Sequence, residues 1–339
     1  MAEQITPRRM LKAWLRGEAL PRPLLLPTLF SLGARLENLP LRSFHSNPTK
    51  IASALRQIRA VLKVDGVAAY FDPYMEAEAL GCVREWRNDG SSVPCWPEGT
   101  SADDLRAKLT SLGGLAEKGP LRHACDVLQR AKAMLKDEPA LMVRVSGPFE
   151  LARQLVSGAV ADERVEFAAE ICASTVKTLA EAGADVILIA EELPAKLSAE
   201  RCAWWASLLA PAINVARFYQ AMPVLLLGGT EVSVEANLAV VFERSWDCVL
   251  CLETTKAAFL HKLLSQTGGN HIGLSLPTEL FGGDSSFLAL REPVFEAASG
   301  RKVTMFASAG DIPPNTDMKQ LAATLNEMRE AFAQAASRG

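Results

Sequence analysis

The chain has 339 residues, 49% hydrophobic and 22% charged, which is enough apolar material for a large core and excludes wholesale disorder. With 36 Lys+Arg against 39 Asp+Glu the net charge is -3, and no basic run exceeds Arg8-Arg9, so a phosphate-tracking surface and a nucleic-acid partner are not expected. No apolar run approaches the roughly 18 to 20 residues of a membrane helix, and the opening MAEQITPRRMLKAW lacks the apolar stretch of a signal peptide. The seven cysteines are odd in number and scattered, as for reduced thiols, so the expectation is a cytoplasmic protein without membrane contact.

In chain order, residues 1–20 predict a helix that closes the bottom of the fold or makes an oligomer contact. Eight short apolar runs then alternate with longer amphipathic segments. The runs are Pro23 to Phe30, Val67 to Asp72, Ala140 to Ser146, Asp185 to Glu191, Met222 to Gly228, Asp247 to Glu253, His271 to Leu276 and Lys302 to Ser308. Their near-continuous Val/Ile/Leu/Ala content suits parallel strands covered on both faces. Helix starts are signalled at Asn47-Pro48, at Ser146-Gly-Pro148, at Ser198 and at Thr316-Asp317. Residues 81–136 break the period with a Gly/Pro/Ser-rich excursion and extra helices between strands two and three, the composition of a lid or wall. A doubly wound open sheet would also alternate, but eight repeats without a Gly-x-Gly-x-x-Gly after the first strand favour a (β/α)8 TIM barrel, one domain over residues 1–339.

In such a barrel the reacting groups sit where strands end. Asp72 closes an apolar strand and precedes Pro73, so it should be held stiffly and partly desolvated, ready for proton transfer or hydrogen bonding; the plainer alternative is a cap for the helix from Tyr74. Of Glu191 and Glu192, adjacent at the end of strand four, one should face the mouth, and alternation does not say which. Glu253 is placed similarly, and Ser31, Arg35 and Ser146 are candidates to bind polar groups of a substrate. Cys248-Val-Leu-Cys251 lies within a strand, where residues three apart face opposite ways, so a metal or redox role is not expected. The four histidines show no ligand spacing, with His45 and His271 the nearest to the mouth, and Trp204-Trp205 reads as helix packing.

The stretch VDGVAAYFDPYMEAEALGC (Val64 to Cys82) followed by Val93-Pro94 resembles the second strand of the uroporphyrinogen decarboxylase superfamily. Further matches follow in order: Arg22-Pro23, VSGPFELA (Val145 to Ala152), AEAGADVILIA (Ala180 to Ala190), PVLLLGG (Pro223 to Gly229) and SAGDIPPNT (Ser308 to Thr316). The wording EAEALGC is closer to the corrinoid-dependent methyltransferase branch. The resemblance equates Asp72 with the aspartate that binds pyrrole nitrogens in the decarboxylases, and it adds Tyr74, Phe149 and Ser308 to the substrate-lining candidates.

Methyltransferases of the superfamily that activate thiols carry zinc ligands, His-x-Cys after strand five and Cys after strand eight; this chain has Leu226, Gly228 and Ala309 there, so no metal is expected. The decarboxylases' Arg-rich loop after strand one is reduced to Arg35. The resemblance thus implies a zinc-independent methyltransferase or demethylase component acting on a small molecule. Asp72 and Glu191 would be its catalytic residues, and no cofactor is bound tightly. Cobalamin or tetrahydrofolate is the methyl carrier to consider, a corrinoid protein the partner and a homodimer the assembly. A decarboxylase-like lyase on a tetrapyrrolic or small carboxylic acid, and a non-catalytic binding barrel, are the alternatives.

Overall fold

The computed structural model describes residues 5–87, 91–97, 100, 104, 105, 107, 119–136, 138–155, 161–194, 197–228, 247–253, 272–282, 292, 294 and 303–337. Helix α1 (Pro7–Leu15) leads into β1 (Leu24–Thr28), α2 (Phe30–Leu36), α3 (Leu41–His45), α4 (Pro48–Leu62), β2 (Gly66–Tyr70) and α5 (Met75–Ala79). A hairpin of β3 (Val83–Trp86) and β4 (Ser92–Cys95) precedes α6 (Gly119–Leu135), β5 (Ala140–Ser146), α7 (Pro148–Leu155) and α8 (Asp162–Glu181). Next come β6 (Val186–Glu192), α9 (Ala199–Phe218), β7 (Met222–Gly228), β8 (Val249–Glu253), β9 (Ile272–Leu276), α10 (Thr278–Phe281), β10 (Met305–Asp311) and α11 (Met318–Ser337).

Each of the eight expected runs is a strand, and together they form one parallel sheet in the order β1-β10-β9-β8-β7-β6-β5-β2. The ends of that order meet: Asp65 N donates to Leu25 O at 3.1 Å and Leu25 N to the Asp65 carboxylate at 2.8 Å, so the sheet is a nearly closed barrel. β1 stops at Thr28, short of the expected Phe30, because the Asp311 carboxylate takes the Phe30 and Ser31 amides and starts α2 there. β10 ends at Asp311 where Ser308 was expected, and its expected start at Lys302 and that of β9 at His271 lie outside the described residues. The excursion contains the β3–β4 hairpin; α6 is the ordinary crossover helix between β2 and β5.

The cap signals act as their chemistry requires. Asn47 accepts from Lys50 N at 3.1 Å, Ser198 from Arg201 N at 3.2 Å, and Asp317 from Lys319 N and Gln320 N at 2.8 and 2.9 Å. At the opposite, amino-terminal end of the barrel, Asp65 before β2 takes Arg22 at 2.6 and 2.8 Å. Asp185 before β6 takes Leu141 N at 2.8 Å and Arg8 of α1 at 2.7 Å, which fixes α1 beneath the strands. No helix among the described residues is long and apolar enough to cross a membrane.

The inward face can be read from one contact. Glu191 meets Trp205 of α9 and therefore points to the helical layer, so Ala190 and Glu192 point inward, and the strand register carries that assignment round the sheet. With the stagger of about one residue per strand that an eight-stranded barrel of this shear has, inward residues of alternate strands fall into layers of four. One layer is Leu26, Met142, Val224 and Gly273; a side chain at Gly273 would meet Cys251, Val249 and Met305, the inward residues of the flanking strands. Two steps up, towards the carboxyl ends, the layer is Thr28, Arg144, Leu226 and Ser275, and next above it Phe71, Ala190, Glu253 and Ala309. Among the described residues, polar groups thus enter the barrel in its upper part.

Candidate active site

At the carboxyl ends of β2, β5 and β6, the described residues wall a cavity of about 360 Å³. Tyr74 follows β2; Glu150, Arg153 and Gln154 come from α7; Glu192 ends β6; Pro94 and Trp96 come from the hairpin side. Trp96 is pinned there by its indole N–H, which donates to Gln154 O at 2.6 Å. The excursion thus stands against the mouth.

Asp72 is wholly buried beside this cavity, and its carboxylate is engaged. Arg84 of β3 approaches both oxygens, at 2.5 and 2.6 Å, and also reaches Glu78 at 2.7 Å. Tyr74 N donates to Asp72 Oδ1 at 3.0 Å, the turn-capping role weighed for it, and His45 Nδ1 stands 3.6 Å from Oδ2. The Arg84 guanidinium lies over the rings of Tyr74 and Trp86. His45 is packed among Phe30, Tyr70 and Trp86; burial pushes its pKa down to about 4, with the Asp72 charge opposing and Arg84 assisting.

The two adjacent glutamates divide as strand alternation requires. Glu192 is exposed, lines the cavity and pairs with Arg153 at 2.9 Å. Glu191 is buried and accepts from Phe149 N at 3.0 Å, Glu150 N at 2.8 Å and Trp205 Nε1 at 3.2 Å. It therefore binds the amino terminus of α7, where exposed amides and the helix dipole favour a carboxylate. Burial outweighs these bonds and raises its pKa to about 7. Asp311 repeats the device at α2, with its pKa raised by burial to about 6.

The remaining candidates fall into three places. Ser146 is buried under the mouth: its amide and hydroxyl bond the Glu76 carboxylate at 2.9 and 3.2 Å, and Arg144 donates to its hydroxyl at 3.2 Å. Burial lifts the Glu76 pKa to about 7. Glu253 ends β8 inward, with a carboxylate oxygen 3.7 Å from where a side chain on Gly228 would begin. Ser31 bonds Asp311, Arg35 is exposed and ties α2 to Pro314 O and Thr316 O at 2.8 and 3.0 Å, and Ser308 bonds Thr28 N at 2.9 Å, so these three hold the β10–β1 corner. Phe149 packs on Trp204 and Trp205 in the helical layer. Tyr74 and Glu192 meet at the cavity, with Asp72 and Ser146 beneath it.

Sequence reasoning missed Arg84, Arg144, Glu76, Glu150, Arg153, Trp96 and Asp311. Asp311 carried a weaker form of the Asp72 signal, an acid at the end of a strand with Ile312 between it and Pro313. Arg84 carried only the V-R-E-W alternation of a two-sided strand, and nothing in it says which carboxylate the hairpin would meet.

Residues 6–209, more than half of the chain, match the uroporphyrinogen decarboxylase (URO-D) family. The chain belongs to this family. No curated sequence matches it. Among solved structures, the URO-D barrel is similar to a methyltransferase from Methanosarcina mazei, with 18% identity, a TM-score of 0.67, and coverage of 97% of this chain and 100% of the other. It is also similar to a B12-independent methionine synthase from Shewanella sp. W3-18-1, with 13% identity, a TM-score of 0.53 and coverage of 86% and 88%. At these identities the likeness establishes the barrel fold.

Leu226 and Gly228 end β7 facing inward and Ala309 lies in β10, and none of the three carries a metal donor. Among the described residues no three His, Cys, Asp or Glu side chains converge to hold an ion. The donor set at these strand ends does not fit a zinc site. Elemental analysis of the purified URO-D protein should therefore give well under one zinc per chain, and stoichiometric zinc would contradict this reading.

Proposed function

We propose that this URO-D family member transfers a methyl group between a small polar substrate, held in the barrel mouth, and a corrinoid or folate carrier. The observation that carries the reading is the state of Asp72. In the resemblance this aspartate binds pyrrole nitrogens, but here Arg84 covers both its oxygens, so Asp72 does not present a free carboxylate to a porphyrinogen. The cavity beside it, about 360 Å³, is at the small end of the roughly 300–1,000 Å³ usual for ligand sites, and a tetrapyrrole with its side chains is larger. A corrinoid is larger still, so the carrier would present its methyl group from outside the cavity.

The protein's own part is positioning. Arg153, Glu192 and the buried, unpartnered Oε1 of Gln154 offer one cation, one anion and one acceptor to a polar substrate. Tyr74, Pro94 and Trp96 supply apolar wall that keeps water from the reacting methyl. The two solved neighbours named for methyl chemistry support the choice of reaction class.

The test is incubation of the pure protein with isotopically labelled methylcobalamin or methyltetrahydrofolate and a panel of small thiols, amines and carboxylic acids. Label should leave the carrier, at a rate lowered roughly 10- to 100-fold in Arg153→Met if the cavity positions the substrate. Carbon dioxide release from an acid substrate with no methyl movement would replace this reading by a lyase, and binding without either reaction by a binding barrel.

A further inference from the structure

A second cavity, of about 260 Å³, opens at the amino-terminal end of the barrel, away from the mouth. Its walls are Lys12, Leu15 and Arg16, from the last turn of α1 and its cap, and Arg217 and Gln220, from the end of α9. Three of these five side chains are cations in a chain whose net charge is -3, so the cluster is not part of a generally basic surface.

The partners of these cations are few. Arg16 donates to Glu18 at 2.6 Å, an exposed pair of the kind that contributes little and opens easily. Lys12 is exposed and has no hydrogen-bond or ion-pair partner among the described residues. Standing four residues before Arg16, it is a neighbour of that cation on the surface of α1 and is repelled by it. Arg217 is half-buried, lies over the ring of Trp14 at 5.8 Å and donates to Asp247 O, just before β8, at 3.3 Å. Those two contacts orient the guanidinium and leave it further donors, and among the described residues it has no carboxylate partner.

The carboxyl ends of α1 and α9 account for part of this charge. Cations are favoured there, because each helix end is equivalent to roughly half a negative charge. The two ends and Glu18 together offset about two of the cations, which leaves about one positive charge and the donors of Lys12 and Arg217 at the wall of an open cavity.

We propose that this cavity binds a small phosphate monoester, with its phosphate between Lys12, Arg16 and Arg217 and its organic part over Leu15. Donors that converge from two helices suit an anion with several acceptor oxygens, and a phosphate presents three where a carboxylate presents two. At roughly 30 Å³ to a water molecule, the cavity exceeds what a bare phosphate ion fills, and Leu15 offers apolar wall to the remainder. The site lies at the opposite end of the barrel from the mouth and is therefore an effector site; its ligand joins α1 to α9. It does not depend on the methyl-transfer reading.

The experiment uses the whole protein, with phenyl phosphate and inorganic phosphate as probes, in calorimetry and thermal melting at constant low ionic strength. The proteins are wild type, Lys12→Gln, Arg217→Gln and, as a control for net charge, Lys319→Gln on the exposed start of α11. Phenyl phosphate should bind wild type more tightly than inorganic phosphate does and raise its melting temperature. Lys12→Gln and Arg217→Gln should each weaken phenyl phosphate roughly tenfold or more, as the loss of a hydrogen bond between charged groups does, while Lys319→Gln leaves it unchanged. Arg217→Gln also gives up the Trp14 contact and should melt somewhat earlier without ligand. Lys12 makes no such contact, so its variant should melt with wild type in phosphate-free buffer and lose affinity all the same. Failure of wild type to bind phenyl phosphate, equal weakening in Lys319→Gln or full affinity in Lys12→Gln would overturn the proposal. Inorganic phosphate bound as tightly as phenyl phosphate would overturn the assignment to an ester.

Discussion

Arg84→Met should lower the stability of the protein by about 3–5 kcal/mol, the loss usual when one partner of a buried ion pair is removed. Asp72 has no exposure, and its two oxygens are held at 2.5 and 2.6 Å by a guanidinium whose side chain is 4% exposed, so the methionine variant would strand a carboxylate in the interior. The loss comes from that stranded charge more than from the pair itself. Asp72→Asn combined with Arg84→Met should therefore recover much of the stability, since the charge is gone and Asn can still accept from Tyr74 N, the 3.0 Å bond that shapes the turn.

The pH dependence gives a second readout. In the intact protein Arg84 helps to hold the pKa of His45 down at about 4. With Arg84 removed, His45, 3.6 Å from the Asp72 carboxylate, should gain a proton more readily. Burial still holds the His45 pKa down, but the variant binds this proton more tightly than wild type does, so its deficit against wild type shrinks as pH falls and grows as pH rises. Arg84→Met should thus be less damaging at pH 5.5 than at pH 8 in urea titrations. A single variant as stable as wild type at both pH values would show that the hairpin contributes no buried charge to the mouth.

The barrel was legible because each of its strands is a short, nearly uninterrupted apolar run, largely buried on both faces, and several of the long helices begin at a residue whose side chain accepts an amide proton. Asn47, Ser198 and Asp317 do so locally, over three residues of chain, and local chemistry is what a sequence displays. The site was less legible because its pairings cross long stretches of chain. Asp72 stands out in the sequence as a candidate, but its partner arrives from a hairpin that Trp96 ties to Gln154, 58 residues on. Glu191 and Glu192 could not be told apart from their neighbours alone; the side that faces the helices was settled by Trp205 and by the amides of α7.

Glu191 offers the second large effect, and it separates a structural carboxylate from a catalytic one. Glu191→Ala would remove the acceptor that the Phe149 and Glu150 amides and the Trp205 indole N–H share in a fully buried place, and should lower stability by about 3–5 kcal/mol. Glu191→Gln should cost about half as much, because one carbonyl oxygen remains to accept while the amide NH2 must face another donor. The charge itself works against the fold. With a pKa raised from 4.5 to about 7, the folded protein holds this proton more tightly than the unfolded chain does. Stability is therefore greatest below about 4.5 and falls as pH rises to about 7, by on the order of 3 kcal/mol from this group. Glu76 and Asp311, raised to about 7 and about 6, add slopes of the same sign. In Glu191→Gln the part of the slope due to Glu191 should vanish, so wild type and variant should differ least at high pH and most near pH 5. If Glu191 only anchors α7, turnover in the Gln variant should track the fraction folded. A Gln variant with nearly wild-type melting and urea curves but turnover reduced about 100-fold or more would instead place this proton in the reaction.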